Sequence, residues 1–391
     1  MVREAAISIY LAFFWLLFQT MKLFPQKEKT VCVASFGDNI HYSTRALRSQ
    51  SDQEIIYLKN RTCSYPFDDS IGTVIPFTIL RPASYVKSIY HLATATTILA
   101  DNYFGFFAAA RFREDTLCIQ LWHAVGSLKQ FGLMDPSNGN RSNRAHSRFK
   151  RVYQSFDYTI VGSDKMGSIF RESFGVTNDQ LRRTGIPRTD LFYDEQAKDR
   201  IKESIYAQFP DIKDKKVILY APTFRRDGSH IDALDTEKLR TSLGDEYILL
   251  MKQHPSVKEP IASGSAGFVY DVSDYYDINH LLLVTDILIT DYSSTPFEFS
   301  LLKRPMVFFA YDIKDYKENQ GLSQAYNEQM PGPIVYTTDD VIQAIQEEHI
   351  NREFMNAFAE KWNVYSKGKS SQNVAKIIAD QEHPALTEQV N

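Results

Sequence analysis

The chain has 391 residues, 43% hydrophobic and 24% charged, and its formal net charge is −4. This length suits two domains, each large enough to enclose a core. A slightly acidic chain has no general attraction for nucleic acid, so we predict no nucleic-acid partner and expect any anionic ligand to be held by a local basic patch. Cys32, Cys63 and Cys118 lack the spacing of a metal site or disulfide framework, which predicts free thiols in a reduced, cytoplasmic setting.

Residues 1–24 form the most apolar segment of the sequence. The run from Ala5 to Phe18 is almost entirely apolar and is flanked by Arg3 and Lys22. A helix that crosses a bilayer needs about 20 apolar residues, and this run has about 15 and lacks a signal-peptide cleavage site. We therefore predict a helix that lies peripherally in the membrane interface, the alternative being a helix packed in the core of the protein. The side chains predicted to enter the membrane are Phe13, Phe14, Trp15 and Phe18.

Short apolar runs alternate with amphipathic segments along the rest of the chain. The predicted strands are 30–35, 54–58, 97–100, 117–121, 158–161, 217–220, 247–252, 268–270, 287–290 and 306–310. Such alternation predicts an α/β fold with helices on both faces of parallel sheets. We predict two doubly wound, Rossmann-type domains, residues 30–205 and 206–380, separated by a cleft that the ends of the strands face.

The stretch 120–132 begins where the predicted strand 117–121 ends. It contains Trp122, His123 and Lys129 around a turn of small residues. An imidazole at the carboxyl end of a strand lies where α/β proteins place their reacting groups. We interpret His123 as the candidate base of a transferase.

A second informative stretch, 291–298, connects a predicted strand to a helix. Residues 295–298 have the pattern of a capping box with proline at the first helical position. Ser293 and Ser294 precede this start, where free amide groups and a partial positive charge favour a phosphate. Capping alone explains the threonine and the glutamate, so phosphate binding is one of two interpretations at this point.

Basic side chains follow three further predicted strands. Lys252 and His254 follow the strand 247–252, Arg225 follows 217–220, and Arg188 lies in a Thr-Gly-Ile-Pro-Arg segment. Arginine binds phosphate oxygens in a bidentate fork, so its recurrence indicates a diphosphate-bearing substrate. A lone histidine before proline is more often a loop residue, and the repetition of basic strand ends is what favours a functional interpretation.

A row of basic residues lies between positions 141 and 151. Its members are Arg141, Arg144, Arg148, Lys150 and Arg151. The row is either a solvated helix face or a surface for anionic lipid or a lipid diphosphate. The sequence has no Walker loop, dinucleotide-binding glycine pattern, zinc spacing or Gly-x-Ser-x-Gly motif, so we predict no cofactor and no metal site, and a requirement for Mg²⁺ stays open.

Taken in order, these motifs resemble those of the CDP-glycerol glycerophosphotransferase family, the teichoic acid primases and polymerases of Gram-positive cell walls. The resemblance runs from about residue 31 to the end of the second domain, and it is carried by residues 122–129, 184–190, 221–225, 252–255 and 291–298. It implies the two-domain GT-B fold, with an acceptor-side N-terminal domain and a C-terminal domain that binds CDP-glycerol. It also implies transfer of glycerol phosphate from CDP-glycerol to an undecaprenyl-diphosphate-linked acceptor at the cytoplasmic face of the membrane.

The resemblance also implies roles for individual residues. His123 is the expected general base, with a neutral imidazole near its ordinary pKa of about 6.5, and His254 is the second histidine expected in catalysis. The implied substrate contacts are Trp122, Ala124, Val125, Gly126, Arg188, Pro222, Thr223, Arg225, Lys252, Gln253, Ser293, Ser294 and Glu298.

One departure from the family pattern concerns the reaction step. Polymerases of the family commonly have glycine, threonine and proline after Trp-His, whereas this chain has Ala124, Val125, Gly126 and Ser127. This difference, and the absence of an extra amino-terminal domain, favour a primase that adds the first glycerol phosphate to N-acetylmannosamine of the lipid-linked disaccharide. The alternatives are a transferase of later glycerol or ribitol phosphate units, a nucleotide-sugar glycosyltransferase and a non-catalytic membrane-bound module.

Overall fold

The computed structural model describes residues 2–223, 225, 233–253, 267–323, 326–347 and 351–382. The chain folds into two compact units. Unit 1 contains Met1–Ala124, Phe131–Asp190 and Tyr365–Asn391, and unit 2 contains Val125–Gln130 and Leu191–Val364. These limits differ from the predicted division at residue 205, because the segment after Asp190 groups with unit 2 and the last helix groups with unit 1.

Unit 1 is built on a seven-stranded parallel sheet in the order β3-β2-β1-β4-β5-β6-β7. Its strands are β1 (Lys27–Ala34), β2 (Glu54–Lys59), β3 (Thr73–Pro76), β4 (Ala95–Ala100), β5 (Leu117–Gln120), β6 (Tyr158–Ile160) and β7 (Leu181–Arg182). Its helices are α1 (Val2–Met21), α2 (Asp38–Arg48), α3 (Pro82–Ala93), α4 (Asn143–Tyr153), α5 (Asp164–Phe174) and α14 (Ser370–Glu382).

The central strands of unit 1 are buried on both faces. In β1 the last six residues are all buried, and Val31 and Val33 lie in the hydrophobic core with Ile98 of β4. Continuous apolar runs of this kind are typical of parallel strands that are covered by helices on both sides. Because β1, β4 and β5 are neighbours, their carboxyl ends lie side by side at one edge of the sheet. The three cysteines are free and buried, as predicted.

Helix α1 packs one face on unit 1 and exposes another. Phe14 and Phe18 are fully buried in the core, where Phe14 packs against Phe106 with ring centroids 5.0 Å apart. The prediction that these two side chains enter the membrane is therefore wrong, because they cover the apolar core of the protein. Phe13 and Trp15, by contrast, are 53% and 41% exposed.

The exposed face of α1 keeps a membrane role open as a prediction. Ile9, Phe13 and Leu16 are all largely exposed, and their spacing places them along one side of the helix. Among the described residues, α1 is the one helix whose length and composition would allow it to cross a membrane, a property that signal sequences and core helices share.

Unit 2 is built on a six-stranded parallel sheet in the order β10-β9-β8-β11-β12-β13. Its strands are β8 (Lys216–Ala221), β9 (Tyr247–Met251), β10 (Val269–Asp271), β11 (Ile287–Thr290), β12 (Met306–Phe309) and β13 (Ile334–Val335). Its helices are α6 (Glu195–Gln208), α7 (Thr236–Leu243), α8 (Ile278–Val284), α9 (Thr295–Phe299), α10 (Ile313–Gln320), α11 (Tyr326–Gln329), α12 (Thr338–Gln346) and α13 (Arg352–Asn363). The predicted α/β class, with two doubly wound parallel sheets and an apolar N-terminal helix, is confirmed.

Candidate active site

The imidazole of His123 is held in one tautomer by the backbone. Its Nδ1 atom lies 2.9 Å from the carbonyl oxygen of Asp101, at the end of the neighbouring strand β4. A carbonyl oxygen only accepts hydrogen bonds, so Nδ1 carries the proton and Nε2 keeps its lone pair. The partly exposed ring is therefore oriented to accept a proton at Nε2.

Asp101 also shapes the loop that covers one face of this imidazole. Its buried carboxylate accepts hydrogen bonds from the backbone N–H groups of Ser35, Phe36 and Gly37, at 2.7–2.9 Å. The ring of Phe36 then stacks on His123, with centroids 4.0 Å apart and 13° between the planes. Gly37 has a φ of 99°, a left-handed conformation that glycine adopts without strain.

Both ionisable groups of this pair have shifted pKa values. Although part of His123 stays exposed, the surrounding protein desolvates the imidazole and lowers its pKa to about 4, while the hydrogen bond to the Asp101 carbonyl acts in the opposite direction. The predicted pKa near 6.5 is therefore wrong, and His123 is neutral across the cytoplasmic pH range. Burial raises the pKa of Asp101 to about 7, against the three amide hydrogen bonds that favour its ionised form.

Trp122 adopts a backbone conformation that is unusual for a side chain of its size. Its φ is 53°, in the left-handed region, and bulky residues in this region are usually held there by their surroundings. Its N–H donates to Oε1 of Gln120 at 2.9 Å, and its carbonyl accepts from Nδ2 of Asn39 at 2.9 Å. The indole is buried and stacks on Phe131. This turn aims the next side chain, His123, toward Asp101.

Arg188 is tied to the same part of unit 1. Its guanidinium forms an ion pair with Asp38 at 2.6 Å, and its backbone N–H donates to Asn39 at 3.0 Å. Asn39 therefore connects the Arg188 segment to the Trp122 turn. The predicted role of Arg188 as a substrate contact stays a prediction, and the charge of Asp38 already compensates part of its charge.

The residues after His123 lead into unit 2. Their side chains are packed against the protein and are not exposed to a ligand. Ala124 is 8% exposed and Val125 is fully buried. A Cβ atom on Gly126 would lie 2.8 Å from the rings of Phe297 and Trp362. The predicted substrate contacts at Val125 and Gly126 are therefore better explained as core packing, since the glycine is required for the close approach of two aromatic rings.

In unit 2, Asp291 is the centre of a hydrogen-bonded network at the ends of β8 and β11. It accepts hydrogen bonds from the backbone N–H and the hydroxyl of Thr223, at 2.9 and 2.6 Å. Arg225 donates to Asp291 at 2.9 Å and to both oxygens of Asp312, at 2.6 and 3.0 Å. Pro222 is buried beside this network.

This network changes the interpretation of Arg225. The residue is 7% exposed, and its guanidinium is shared between two carboxylates and the carbonyl oxygen of Thr223. Four of its five N–H donors bond to these three groups, so the predicted phosphate contact of Arg225 stays a prediction. We interpret it as a residue that positions Asp291 and Thr223.

Lys252 is likewise engaged by the protein. Its Nζ donates to the carbonyl oxygens of Ser273 and Tyr275, at 3.1 and 2.7 Å. Burial lowers its pKa to about 8, although the carboxylates of Asp277, Asp274 and Asp271 raise it. Within the described part of the chain, these two carbonyl oxygens are the acceptors seen for its three ammonium hydrogens. The backbone N–H of Gln253 donates to Ser273, and His254 lies outside the described residues.

The start of α9 differs from the predicted capping box. Ser294 occupies the cap position without a side-chain cap hydrogen bond, and Thr295 is already the first helical residue. The hydroxyl of Ser293 pairs with Thr290 at 2.8 Å and accepts weakly from the N–H of Thr295 at 3.3 Å. Glu298 is buried. Phosphate binding by the two serines stays a prediction.

Lys129 is a cation of unit 2 to which the sequence motifs assign no separate function. Its Nζ lies 5.2 Å from the ring centroid of Tyr316. Burial lowers the pKa of Lys129 to about 8, while Asp291 raises it and Arg225 lowers it further. Lys129 therefore feels the charges of the Asp291 network without a hydrogen bond to it among the described residues.

The described residues contain no cluster of potential metal ligands. Among them, no three histidine, cysteine, aspartate or glutamate side chains cluster closely enough to hold a metal ion.

The chain is similar to known proteins over most of its length. The family model described as CDP-Glycerol:Poly(glycerophosphate) glycerophosphotransferase matches residues 16–380. A teichoic acid glycerol-phosphate primase of Bacillus subtilis (strain 168) is 41% identical over 301 residues, 76% of this chain and 77% of the relative. A teichoic acid poly(ribitol-phosphate) polymerase of Bacillus spizizenii (strain ATCC 23059 / NRRL B-14472 / W23) is 38% identical over 312 residues, 77% of this chain and 49% of the relative.

A solved structure gives independent support for the fold. The structure of the wall teichoic acid polymerase TagF matches with a TM-score of 0.78 over 100% of both chains, at 24% sequence identity. At this identity the likeness speaks for the fold alone. Together with the two parallel sheets, it confirms the predicted GT-B-like fold class.

Proposed function

The chain belongs to the CDP-glycerol:poly(glycerophosphate) glycerophosphotransferase family, and from this membership we propose that it transfers glycerol phosphate from CDP-glycerol to a lipid-linked acceptor in teichoic acid synthesis. The specific acceptor that we propose is the N-acetylmannosamine hydroxyl of an undecaprenyl-diphosphate-linked disaccharide. The product is the primed lipid, and CMP leaves. The site of action is the cytoplasmic face of the membrane, where the exposed apolar side of α1 would make contact.

The observation that supports this proposal most strongly is the orientation of His123. Its Nδ1–H is held by the Asp101 carbonyl, so Nε2 is available to take the proton of an acceptor hydroxyl. The hydroxyl oxygen forms a bond to the phosphorus that bears glycerol, and the bond from that phosphorus to the bridging oxygen breaks. The electron pair of the broken bond leaves with CMP, and the proton remains on His123.

On the donor side, we assign three groups of unit 2 to the pyrophosphate. Lys252 has one ammonium donor that is not used by Ser273 and Tyr275. Ser293 and Ser294 lie at the start of α9, where hydroxyl and amide groups suit phosphate oxygens. Positioning and charge stabilisation of this kind supply most of the rate in a loose phosphoryl transfer. The Asp291 network would keep these strand ends in place.

A primase step is favoured over chain extension by the similarity to the glycerol-phosphate primase. That relative is 41% identical, and the stretch after Trp-His lacks the glycine, threonine and proline expected of polymerases. The ribitol-phosphate polymerase at 38% identity favours the second candidate function, a transferase of later glycerol or ribitol phosphate units.

Product analysis distinguishes these functions. The purified chain is incubated with CDP-glycerol or CDP-ribitol and the lipid-linked disaccharide, and the products are identified by mass spectrometry with CMP as the second readout. We expect one glycerol phosphate per acceptor and one CMP per transfer. Longer products, or products formed only from CDP-ribitol, would assign the second function, and transfer from a UDP-sugar would contradict both.

A further inference from the structure

A groove of about 650 Å³ lies beside helices α1 and α4 of unit 1. Its volume is in the range of about 300–1,000 Å³ that is typical of small-molecule sites. The apolar side chains that line it are Leu11, Ala12, Trp15, Ala108 and Ala109, and the cationic ones are Arg111, Arg144, Arg148 and Arg151. One surface therefore combines a wall for hydrocarbon with four guanidinium groups.

The arginines of α4 face the groove as a row because of their spacing. Arg144, Arg148 and Arg151 are separated by four and three residues, which places them on one side of the helix. Arg148 donates to both carboxylate oxygens of Glu4, at 2.7 and 3.1 Å, and this ion pair fastens α1 to α4. In the part of the chain that the structure describes, Glu4 is the one carboxylate that pairs with the row. Arg144 and Arg151 are exposed.

We propose that this groove binds the diphosphate and the first isoprenoid units of the lipid-linked acceptor, which is an inference that rests on the proposed function. The guanidinium group of arginine matches the oxygens of a diphosphate in a bidentate geometry. Because the chain as a whole is slightly acidic, a diphosphate needs such a local basic site. The isoprenoid chain lies along Leu11 and Trp15. Because α1 also exposes Ile9 and Phe13, the rest of the lipid continues directly from the groove into the bilayer.

The basic row flanking this apolar wall explains why an isoprenoid diphosphate is favoured over an ordinary anionic phospholipid. A phospholipid headgroup needs only a charged surface at the membrane. A concave site that combines guanidinium groups with an apolar wall instead selects a ligand that joins a compact polyanion directly to a hydrocarbon chain. Arg141 and Lys150 are exposed and close in sequence to the row, but they do not line the groove, and they provide the matched control.

The binding experiment uses farnesyl diphosphate in solution and two kinds of vesicle, phosphatidylcholine alone and with about 20% phosphatidylglycerol. The double variant Arg144→Gln/Arg151→Gln is compared with Arg141→Gln/Lys150→Gln, which removes the same charge. We expect the groove variant to lose affinity for farnesyl diphosphate by about tenfold or more and the control by less than about twofold. Equal losses in the two variants, or a loss that concerns only phosphatidylglycerol vesicles, would overturn the proposal.

Kinetics adds a readout that a general loss of membrane binding would not give. With the lipid-linked acceptor, KM for the acceptor should be about tenfold or more higher in the groove variant than in the wild type. This increase should be larger than any change in kcat, and KM for CDP-glycerol should stay unchanged. An unchanged acceptor KM would overturn the groove assignment. If the wild-type chain formed no CMP with any acceptor, the proposed function would fail, while the farnesyl diphosphate measurement would still decide whether the groove binds isoprenoid diphosphate.

Discussion

The ring of Phe36 stacks on the imidazole of His123, with 4.0 Å between centroids. Phe36 is 46% exposed, so this stacking is a poor source of stability and a good means of fixing the orientation of the imidazole. The carboxylate of Asp101 holds the loop that carries Phe36, and the carbonyl of Asp101 holds His123. Asp101 therefore holds both the imidazole of His123 and the loop that carries the stacking ring of Phe36.

Replacing Phe36 with alanine should reduce transfer without unfolding the protein. We expect kcat to fall by about tenfold, because the imidazole gains orientations in which Nε2 is misdirected, while KM for CDP-glycerol stays nearly constant. Leu80→Ala, at a 67% exposed position of unit 1, is the control and should leave kcat unchanged. If the two substitutions changed kcat equally, the stacking of Phe36 would not be what orients the imidazole.

The pH profile of transfer should lack a histidine step near neutrality. The folded-state pKa of His123 is lowered to about 4, so the imidazole is neutral, and competent as a base, at every pH well above that value. Asp101, whose pKa is raised to about 7, titrates in the same range, so the profile is measured in Asp101→Asn. In this variant, lowering the pH from 7.5 to 5.5 should change kcat/KM by less than about twofold, whereas an unperturbed histidine with a pKa of about 6.5 would lose about tenfold. An acid limb centred near pH 6.5 in this variant would contradict the low pKa of His123.

Gly126 should be intolerant of a methyl group. A Cβ atom there would lie 2.8 Å from Phe297 and Trp362, so we expect Gly126→Ala to lower the free energy of unfolding by about 1–3 kcal/mol. Gly139 has no atom within 4 Å of an added Cβ, and Gly139→Ala should change it by less than about 0.5 kcal/mol. Urea denaturation measures both. If Gly126→Ala left the free energy of unfolding unchanged, close packing would not explain the glycine, and a substrate contact at Gly126 would be favoured.

Removal of the Arg225 guanidinium should destabilise unit 2. Asp291 is almost fully buried, and Arg225→Gln would leave it and Asp312 without their cation, a change that costs about 3–5 kcal/mol. The exposed pair Arg240–Glu237 provides the comparison, where Arg240→Gln should leave the melting temperature nearly unchanged. Thermal unfolding distinguishes the two. If Arg225→Gln lost CDP-glycerol binding at unchanged stability, Arg225 would be a direct ligand instead.

The position of His123 just after a buried strand could be predicted, because a histidine at the end of an apolar run is a local pattern. Asp101 was missed although it follows β4, the neighbour of β5, since its contacts with residues 35–37 depend on the strand order β1-β4-β5. A correct strand order would have indicated Asp101, because the carboxyl ends of adjacent parallel strands meet at one edge of the sheet.

The residues whose surroundings differ from expectation share one physical cause. Arg225 is recognisable as a basic strand end, but its partners Asp291 and Asp312 are 66 and 87 residues away. Phe14 and Phe18 are as apolar as Phe13, and the structure alone shows which side of α1 faces the core. In each case residue type was visible in the sequence, whereas the tertiary partners that decide its function were not.

The measurement that tests the central claim most directly is single-turnover transfer by His123→Asn. Asparagine can still donate to the Asp101 carbonyl but has no basic nitrogen. We predict that transfer from CDP-glycerol to the lipid-linked acceptor falls by about 10²-fold or more, while the Kd for CDP-glycerol, measured separately, changes by less than about threefold. A variant that transfers glycerol phosphate within about threefold of the wild-type rate would show that His123 is not the base.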